Sequence, residues 1–205
     1  MSDSIAPKRY DRAYFRRWYH DPRTRISSVR ALERKVHLAV SVAEYFLGRR
    51  LRTVVDIGCG EALWYDALKQ LRPRVQYTGI DSSEYVVRAF GDSHHVRHGS
   101  FGALRALRLP TRVDLIVCAD VLQYIPARDL IPGLRAIRRA LGGVAYIEVF
   151  TRDDDMEGDM QGWHARSANE YRRLFRNVGL SHCGVNCFVD VRKSGGVNEF
   201  DLMLP

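Results

Sequence analysis

From residue 51 onward, short apolar segments alternate with longer segments of helical periodicity, and this alternation permits few folds. Parallel strands need long crossover connections, which are usually helices, so the pattern predicts βαβ units and a parallel sheet covered on both faces. We predict strands near 52–57, 75–80, 94–98, 113–119 and 143–150, and helices near 61–71, 83–90, 101–107, 127–140 and 167–178.

The alternation ends near the C-terminus. Two apolar segments, near 182–191 and 197–204, flank the sequence KSGG with no helical pattern between them. This arrangement predicts a β-hairpin and therefore one antiparallel strand at the end of the sheet. The expected fold class is α/β, a doubly wound and mostly parallel sheet that binds ligands at the carboxyl ends of its strands.

The N-terminal region shows helical patterns only. KRYDRAYFRRWYH at 8–20 places aromatic side chains at helical spacing with arginines between them, and Asp21-Pro22 ends this pattern. A second helix is predicted from about Val29 to Leu47. We therefore divide the chain into a basic and aromatic helical segment, residues 1–28, and a single α/β domain, residues 29–205.

The net charge of +8 is confined to the N-terminal region. Residues 1–52 contain thirteen Lys or Arg and five Asp or Glu, whereas residues 53–205 contain nineteen of each. Such a region can bind nucleic acid or anionic lipid. Because only four of the basic residues in the chain are Lys, a solvated helix face in an arginine-rich protein is the favoured interpretation.

Composition excludes several other classes. The sequence contains no uncharged apolar stretch long enough to span a membrane, and its first twenty residues are too charged for a secretory signal. We expect a cytoplasmic protein that does not bind membranes. The four cysteines lack zinc-site spacing, and the acidic loop TRDDDMEGDM at 151–160 reads as solvated, so no metal is expected.

The sequence VVDIGCGEALW at 54–64 joins the first predicted strand to the following helix. The strand ends at Asp56, and Gly58 and Gly60 form a turn whose missing β-carbons let the backbone approach a nucleotide-type ligand. The dinucleotide fingerprint needs a small residue at position 63, where this chain has Leu63. NAD is therefore disfavoured.

The second predicted strand ends in YTGIDSS, which places Asp81 at its tip. A carboxylate at this position can accept hydrogen bonds from both hydroxyls of a ribose. Capping of the next helix is the alternative role for this acid. The glycine turn and the two acids together predict a site for a nucleoside-containing cofactor.

With these motifs, residues 29–205 resemble the class I S-adenosylmethionine-dependent methyltransferases. VVDIGCGEA looks like the first motif of that family, GIDSS like the acidic motif after its second strand, and VDLIVCADVLQYI like the segment after its fourth strand. YRRLFRNVGL is similar to the helix that precedes its terminal strand pair. The resemblance implies a Rossmann-like, seven-stranded sheet, S-adenosyl-L-methionine as cofactor and S-adenosyl-L-homocysteine as product.

The resemblance also implies individual cofactor contacts. The glycine turn would pass close to the methionine part of the cofactor, Asp56 would orient the turn, and Asp81 would bind the ribose. The family often has an acid after its third strand to contact the adenine, but this chain has Ser100 and Phe101 there. The complete predicted cofactor set is Asp56, Gly58, Cys59, Gly60, Asp81, Ser82, Ser100, Phe101, Asp120 and Val121.

Methyl transfer is an in-line displacement that depends mainly on positioning and desolvation, so a catalytic base is optional. The candidate bases are His164 and Tyr124, with Glu148 and Asp120 behind them. His164 can equally be a surface histidine, and Tyr124 can be a packing residue at the start of a helix.

In many small-molecule members of the family, a preceding helical segment closes over the site as a lid. The resemblance therefore implies that residues 1–28 form such a lid. The predicted acceptor-binding residues are Tyr14, Trp18, Gln123, Trp163 and Arg166. The segment 119–123 lacks the Asn/Asp-Pro-Pro-aromatic motif of base-methylating members, so DNA adenine methylation is not expected.

The predicted function is methyl transfer from S-adenosyl-L-methionine to an oxygen or nitrogen of a small molecule, by a monomer or homodimer. One alternative is methylation of RNA or another macromolecule that the basic N-terminal region binds. A second alternative is a non-enzymatic module that only binds the cofactor, and a dehydrogenase is a third.

Overall fold

A computed structural model describes residues 8–25, 27–155, 158–190 and 192 of the chain. Its strands are β1 (Thr53–Ile57), β2 (Gln76–Asp81), β3 (Val96–His98), β4 (Val113–Ala119), β5 (Leu141–Glu148), β6 (Ser181–Gly184) and β7 (Cys187–Val189). They form one sheet in the order β3-β2-β1-β4-β5-β7-β6. The first five strands pair in parallel, and β7 is antiparallel to both of its neighbours. The predicted fold class is therefore confirmed.

The helices cover both faces of this sheet. They are α1 (Arg12–Phe15), which continues as a π-helical turn (Arg16–His20), α2 (Val29–Leu47), α3 (Leu63–Leu71), α4 (Glu84–His94), α5 (Ala127–Ala140) and α6 (Ala168–Val178). Local sequence explains several helix ends. The side chains of Ser28, Ser83 and Ser167 cap the N-termini of α2, α4 and α6, and Gly48 and Gly179 end α2 and α6 in the left-handed conformation.

The hydrophobic core has two parts, one on each face of the sheet. Side chains alternate along the strands, so Val55 and Ile57 of β1 belong to the cluster that includes α5 and α6. Val54 belongs to the opposite cluster, which includes α2 and α3. Because the strands are covered on both faces, they consist almost entirely of apolar residues.

The strand order reverses beside β1, which has β2 on one side and β4 on the other. Crossovers leave the sheet in opposite directions at this point, so the loops after β1 and β4 separate and open a crevice. The carboxyl ends of the strands at this crevice are therefore the place where a ligand can bind.

Two predicted elements differ from the structure. The helix predicted at 101–107 is a short 3-10 turn (Phe101–Ala103), because Phe101 and Leu104 both point into the core at a spacing of three residues. The aromatic N-terminal helix begins only after Asp11, whose side chain accepts a hydrogen bond from the backbone N–H of Tyr14.

The terminal hairpin also differs from the prediction. The segment 182–191 is not one strand, because the chain reverses at Val185–Asn186 and pairs β6 with β7. Asn186 has a φ of +55°, a conformation that asparagine tolerates in turns. The predicted turn KSGG and the strand near 197–204 lie outside the described residues.

Candidate functional site

The loop after β1 folds back over the edge of the sheet through two glycines. Gly58 and Gly60 have φ values of +70° and +52°. The backbone N–H of Gly58 donates a hydrogen bond of 2.7 Å to the carbonyl of Ile80. A β-carbon at position 58 would lie 2.4 Å from Cγ2 of Val121, so glycine is required by both the backbone and the packing.

Asp81, the last residue of β2, is bound to this turn. Its Oδ2 accepts a hydrogen bond from the N–H of Gly60, and its Oδ1 accepts one from the N–H of Ser83, each at 2.8 Å. Burial raises the pKa of Asp81 above its usual value. Each oxygen retains a second lone pair, so the carboxylate can also accept hydrogen bonds from ligand hydroxyls.

The β2-side cavity has a volume of about 270 Å³ and lies over the glycine turn and Asp81. The N-terminal segment forms one wall, and the loops after β1, β2, β3 and β4 form the others. Its lining residues include Tyr10, Tyr14, Phe15, Tyr19, Gly58, Gly60, Asp81, Ser82, Ser100, Phe101, Asp120, Val121 and Tyr124.

The β5-side cavity has a volume of about 160 Å³ and lies between α2, α3 and the end of β5. Aromatic rings and charged groups alternate around it. Its lining residues include Trp18, Tyr19, Leu32, Lys35, Asp56, Gly58, Cys59, Leu63, Trp64, Asp120, Tyr124, Glu148, Phe150 and Asp159.

The two cavities share five lining residues, namely Tyr19, Gly58, Ala119, Asp120 and Tyr124. These residues come from the N-terminal segment and from the loops after β1 and β4. Ligands in the two cavities would therefore meet at this junction. Tyr19 lies directly on the glycine turn, since a β-carbon at position 60 would be 2.4 Å from its hydroxyl oxygen.

Two carboxyl groups at the crevice have raised pKa values. Burial raises the pKa of Asp56 to about 7, although the hydroxyl of Tyr77 donates a 2.8 Å hydrogen bond to it. Burial raises the pKa of Asp120 to about 6. Lys35 donates a 2.7 Å hydrogen bond to Glu148 within the β5-side cavity. The β5-side cavity thus combines two acids whose pKa values are raised with aromatic walls.

Side-chain contacts hold the N-terminal segment over both cavities. Phe15 is 2% exposed and belongs to the same hydrophobic cluster as α2 and α3. Nε2 of His20 lies 2.5 Å from Oε2 of Glu61, and the other oxygen of Glu61 accepts a 3.0 Å hydrogen bond from Tyr85. Lys8 forms an ion pair with Asp159. The boundary predicted at residue 28 stays a prediction.

All ten residues of the predicted cofactor set line one or both cavities, as do Tyr14, Trp18 and Tyr124. Their ligand contacts stay predictions. Tyr14 lies in the β2-side cavity rather than beside the expected acceptor, whereas Trp18 lies in the β5-side cavity. The hydroxyl of Tyr124 donates a 2.8 Å hydrogen bond to the carbonyl of Asp159, and burial raises its pKa. Tyr124 therefore retains its proton, which disfavours a role as base.

Four other predicted residues are not among the lining residues of either cavity in the described part of the chain. His164 is exposed, and its backbone N–H donates a 2.7 Å hydrogen bond to the carbonyl of Gln123. Arg166 donates a 2.7 Å hydrogen bond to the carbonyl of Ile125. Gln123 is fully buried, and Nε1 of Trp163 is buried without a hydrogen-bond partner among the described residues. The loop before α6 is thus bonded to the segment after β4.

Sequence patterns did not indicate several of the lining residues. Tyr10 and Tyr19 were seen only as members of an aromatic helix, and Lys35, Trp64 and Phe150 carried no motif. Glu61 follows the second glycine, and the structure shows that it holds His20. The one available signal was the aromatic spacing of residues 8–20, which cannot reveal which rings face inward.

The ranges that the structure describes contain neither a cluster of metal ligands nor a membrane-spanning helix. No group of three or more His, Cys, Asp or Glu side chains there could hold a metal ion. None of the described helices is both long and apolar enough to cross a membrane.

Solved structures with this architecture are similar over most of the chain. A SAM dependent methyltransferase from Archaeoglobus fulgidus has 13% sequence identity and a TM-score of 0.58, covering 82% of this chain and 73% of that chain. The plantazolicin methyltransferase BamL, in complex with triazolic desmethylPZN analog and SAH, has 16% identity and a TM-score of 0.60, covering 83% and 71%. The fold is that of the class I S-adenosylmethionine-dependent methyltransferases.

The sequence of the chain also matches a protein family. Residues 12–184 match the family described as methyltransferase domain, and the chain belongs to this family, whose cofactor is S-adenosylmethionine. A curated relative, the ubiquinone biosynthesis O-methyltransferase of Cupriavidus pinatubonensis, is 29% identical over 110 residues. The matched region is 50% of this chain and 43% of that protein, so the chain matches less than half of the relative's length.

The residues of the β2-side cavity fit this cofactor. Gly58 and Gly60 line this cavity with backbone alone, and the Asp81 carboxylate retains lone pairs for hydroxyl donors. Phe101 offers an apolar ring, and Ser82 and Ser100 offer hydroxyls in the same cavity.

Proposed function

We propose that this protein transfers the methyl group of S-adenosylmethionine to an oxygen or nitrogen atom of a small-molecule acceptor by in-line displacement. The observation that carries the proposal is the junction at which the two cavities share five lining residues. A bound cofactor supplies a methyl group on a positively charged sulfur. Residues that hold two ligands end to end at one junction supply the positioning that such a displacement needs.

The β2-side cavity is assigned to the adenosine part of the cofactor. Asp81 would accept hydrogen bonds from the ribose, and Phe101 would pack against the base with Ser82 and Ser100 as polar partners. Gly58 and Gly60 would pass beneath the chain that leads to the junction. This assignment agrees with the burial of Asp81 at 8% exposure and with the close packing around the turn.

The β5-side cavity is assigned to the acceptor and the adjoining end of the cofactor. Its volume of about 160 Å³ suits a small molecule or one inserted group, and Trp18, Trp64 and Phe150 provide apolar walls. The Lys35–Glu148 pair is the polar feature of this cavity that can reorganise around an acceptor. The similarity to an enzyme named as an O-methyltransferase supports an oxygen acceptor.

Residues 1–28 are assigned the role of a lid. Trp18 and Tyr19 cover the β5-side cavity and the junction, and Phe15 anchors the segment in the core. Closure over the junction excludes water from the reacting atoms, which strengthens electrostatic interactions there.

Calorimetric titration with S-adenosylhomocysteine and, separately, with NAD tests the cofactor assignment. We expect binding of the first ligand alone. Formation of S-adenosylhomocysteine from S-adenosylmethionine is then measured with small phenols, amines and carboxylates as acceptors. Binding without turnover on any acceptor would favour the non-enzymatic module, and binding of NAD would favour a dehydrogenase.

One observation favours a macromolecular acceptor as a second candidate. Arg9, Arg12, Arg16 and Arg17 are exposed on the segment that covers the cavities. If this surface binds RNA, methylation of total RNA should be detectable and should fall steeply with added salt. Turnover on small acceptors alone, unaffected by salt, would reject this candidate.

A further inference from the structure

Asp120 occupies an unusual position at the junction of the two cavities. It follows β4 directly, lines both cavities, and has a φ of +61°. Its backbone N–H donates a 3.0 Å hydrogen bond to the carbonyl of Glu148 at the end of β5. Aspartate is one of the few non-glycine residues that tolerate this left-handed conformation, which fixes the direction in which its side chain leaves the backbone.

The side chain of Gln123 is bonded to the side chain of Asp120. Gln123 is fully buried, and its Nε2 donates a hydrogen bond to Oδ1 of Asp120. Its own Oε1 is buried without a hydrogen-bond partner in the described ranges. Burial of an amide that is only partly satisfied is unfavourable. The amide oxygen of Gln123 therefore lacks a hydrogen bond, while its amide nitrogen fixes the orientation of the Asp120 carboxylate.

The second carboxylate oxygen of Asp120 is available to a ligand. Oδ2 has no hydrogen-bond partner among the described residues, and Asp120 is only partly buried at the cavity junction. The other lining acids are engaged differently: Asp56 is bound by Tyr77, Glu148 by Lys35, and Asp159 is paired with Lys8. Within the described part of the chain, the Asp120 carboxylate therefore forms no ion pair and keeps one oxygen for a ligand.

We infer that Asp120 is a catalytic residue that accepts the proton of the acceptor nucleophile, and that Gln123 is the positioning residue that orients its carboxylate. This inference rests on the proposed function and narrows it to acceptors with a hydroxyl or amine proton, such as phenols and amines. A carboxylate acceptor has no such proton and needs no base.

Atoms and charges balance in this step. The O–H or N–H bond of the acceptor breaks, and its proton goes to the Asp120 carboxylate. The electron pair left on oxygen or nitrogen forms the bond to the methyl carbon, while the carbon–sulfur pair remains on sulfur. The positive charge lost at sulfur is matched by the negative charge lost at Asp120.

Several charged and ionisable groups surround Asp120. Its pKa is raised to about 6, chiefly by burial and also by Glu148 of β5, against the lowering effects of the Gln123 hydrogen bond, Lys35 of α2 and Lys8. Tyr10, Tyr19 and Tyr124 also interact with it, and the pKa of each phenol is raised. Asp120 is therefore ionised at neutral pH but more basic than an ordinary aspartate, as a proton acceptor requires.

Binding of two cofactor analogues tests this inference without a known acceptor. S-Adenosylhomocysteine is uncharged at the reacting centre, whereas sinefungin has an ammonium group in place of the transferred methyl. If the Asp120 carboxylate faces that position, sinefungin should bind roughly tenfold or more tightly than S-adenosylhomocysteine at about pH 8. Asp120→Asn should reduce this preference to about threefold or less, and Asp92→Asn, on the exposed face of α4, should preserve it.

A pH series on the unaltered protein provides the same test without substitution. The preference for sinefungin should be lost as pH falls through about 6, where Asp120 takes up its proton. Gln123→Leu should move this midpoint upward, because its hydrogen bond lowers the pKa of Asp120, and Glu148→Gln should move it downward. A role in packing alone would not produce these opposite shifts.

The outcomes separate this inference from the proposed function. Equal affinity for both analogues, or a preference that survives Asp120→Asn, would overturn the role of Asp120 while leaving the cofactor site intact. Binding of neither analogue by the unaltered protein would overturn the proposed function, and the inference with it.

Discussion

The backbone N–H of Gly60 donates a 2.8 Å hydrogen bond to Oδ2 of Asp81. This bond joins the turn after β1 to the tip of β2, so the carboxylate assigned to the ribose also holds the glycine turn. A second hydrogen bond, from Ser83, orients the same carboxylate at the start of α4. The shape of the turn and the position of the expected hydroxyl acceptor are therefore coupled.

Replacement of Asp81 should weaken cofactor binding. We expect Asp81→Ala to reduce affinity for S-adenosylhomocysteine at least tenfold, about 1.4 kcal/mol, because a charged hydrogen-bond acceptor and the tie to Gly60 are both lost. Calorimetric titration measures the effect, and Asp92→Ala on α4 is the control. Unchanged affinity in the Asp81 variant would remove this residue from the site.

A methyl group at position 58 should destabilise the glycine turn. Gly58→Ala combines a φ of +70° with a β-carbon 2.4 Å from Cγ2 of Val121, and we expect its free energy of unfolding to fall by about 2–4 kcal/mol. Urea unfolding measures this loss. Gly162→Ala is the matched control, because Gly162 has a φ of +75° with no atom within 4 Å of the added carbon. Equal losses in both variants would mean that the contact with Val121 is unimportant.

Loss of the Glu61 carboxylate should loosen the N-terminal segment. Glu61→Gln replaces the charged partner of His20 and weakens the contact with Tyr85, so the segment should open more often. Trypsin should then cleave after the exposed Arg12, Arg16 or Arg17 several-fold faster than in the unaltered protein. Asp66→Asn, an exposed change on α3, should leave the rate unaltered. A Glu61 variant that is cleaved no faster would show that the contacts of Glu61 do not retain the segment.

The unfolding free energy of the ligand-free protein should depend on the protonation of Asp56. Its folded pKa of about 7 exceeds the usual value of about 3.9. Between these values unfolding releases a proton from Asp56, so the contribution of Asp56 to stability is greatest at the acidic end and decreases as pH rises toward about 7. Asp56→Asn should lessen this decrease by at least about 1.4 kcal/mol, the equivalent of one pKa unit. Urea unfolding at several pH values measures it, and parallel curves for both proteins would contradict the raised pKa.

Much of the fold could be predicted because its signals are local. The helix α2 was predicted over its full length from the spacing of its apolar residues, and α5 and β4 likewise. The segment at 101–107 could not be predicted as a 3-10 turn, because its conformation follows from Phe101 inserting beside α5, where a β-carbon at Gly133 would lie 2.1 Å from the ring. Likewise, the reversal at Val185–Asn186 depends on pairing of β7 with β5.

The candidate site likewise contains residues that the sequence could predict and residues that it could not. Its glycine turn and Asp81 follow strands that are recognisable in sequence, so their common location at one sheet edge could be predicted. His164 looked equally suitable, but its loop binds backbone groups after β4 and leaves its side chain in solvent. No sequence pattern distinguished His164 from Asp81, since both residues lie near strand ends at the same edge of the sheet.

The sequence by itself determined the order of helices and strands along the chain and the glycine turn after β1, because hydrophobic periodicity and glycine conformations act over a few residues. Only the tertiary structure decided that Tyr19, Lys35, Asp120 and Glu148 line one cavity. These residues come from distant parts of the chain, and their meeting depends on how the N-terminal segment and α2 pack across the sheet edge. Such packing reflects the fit of many side chains at once, which no local pattern records.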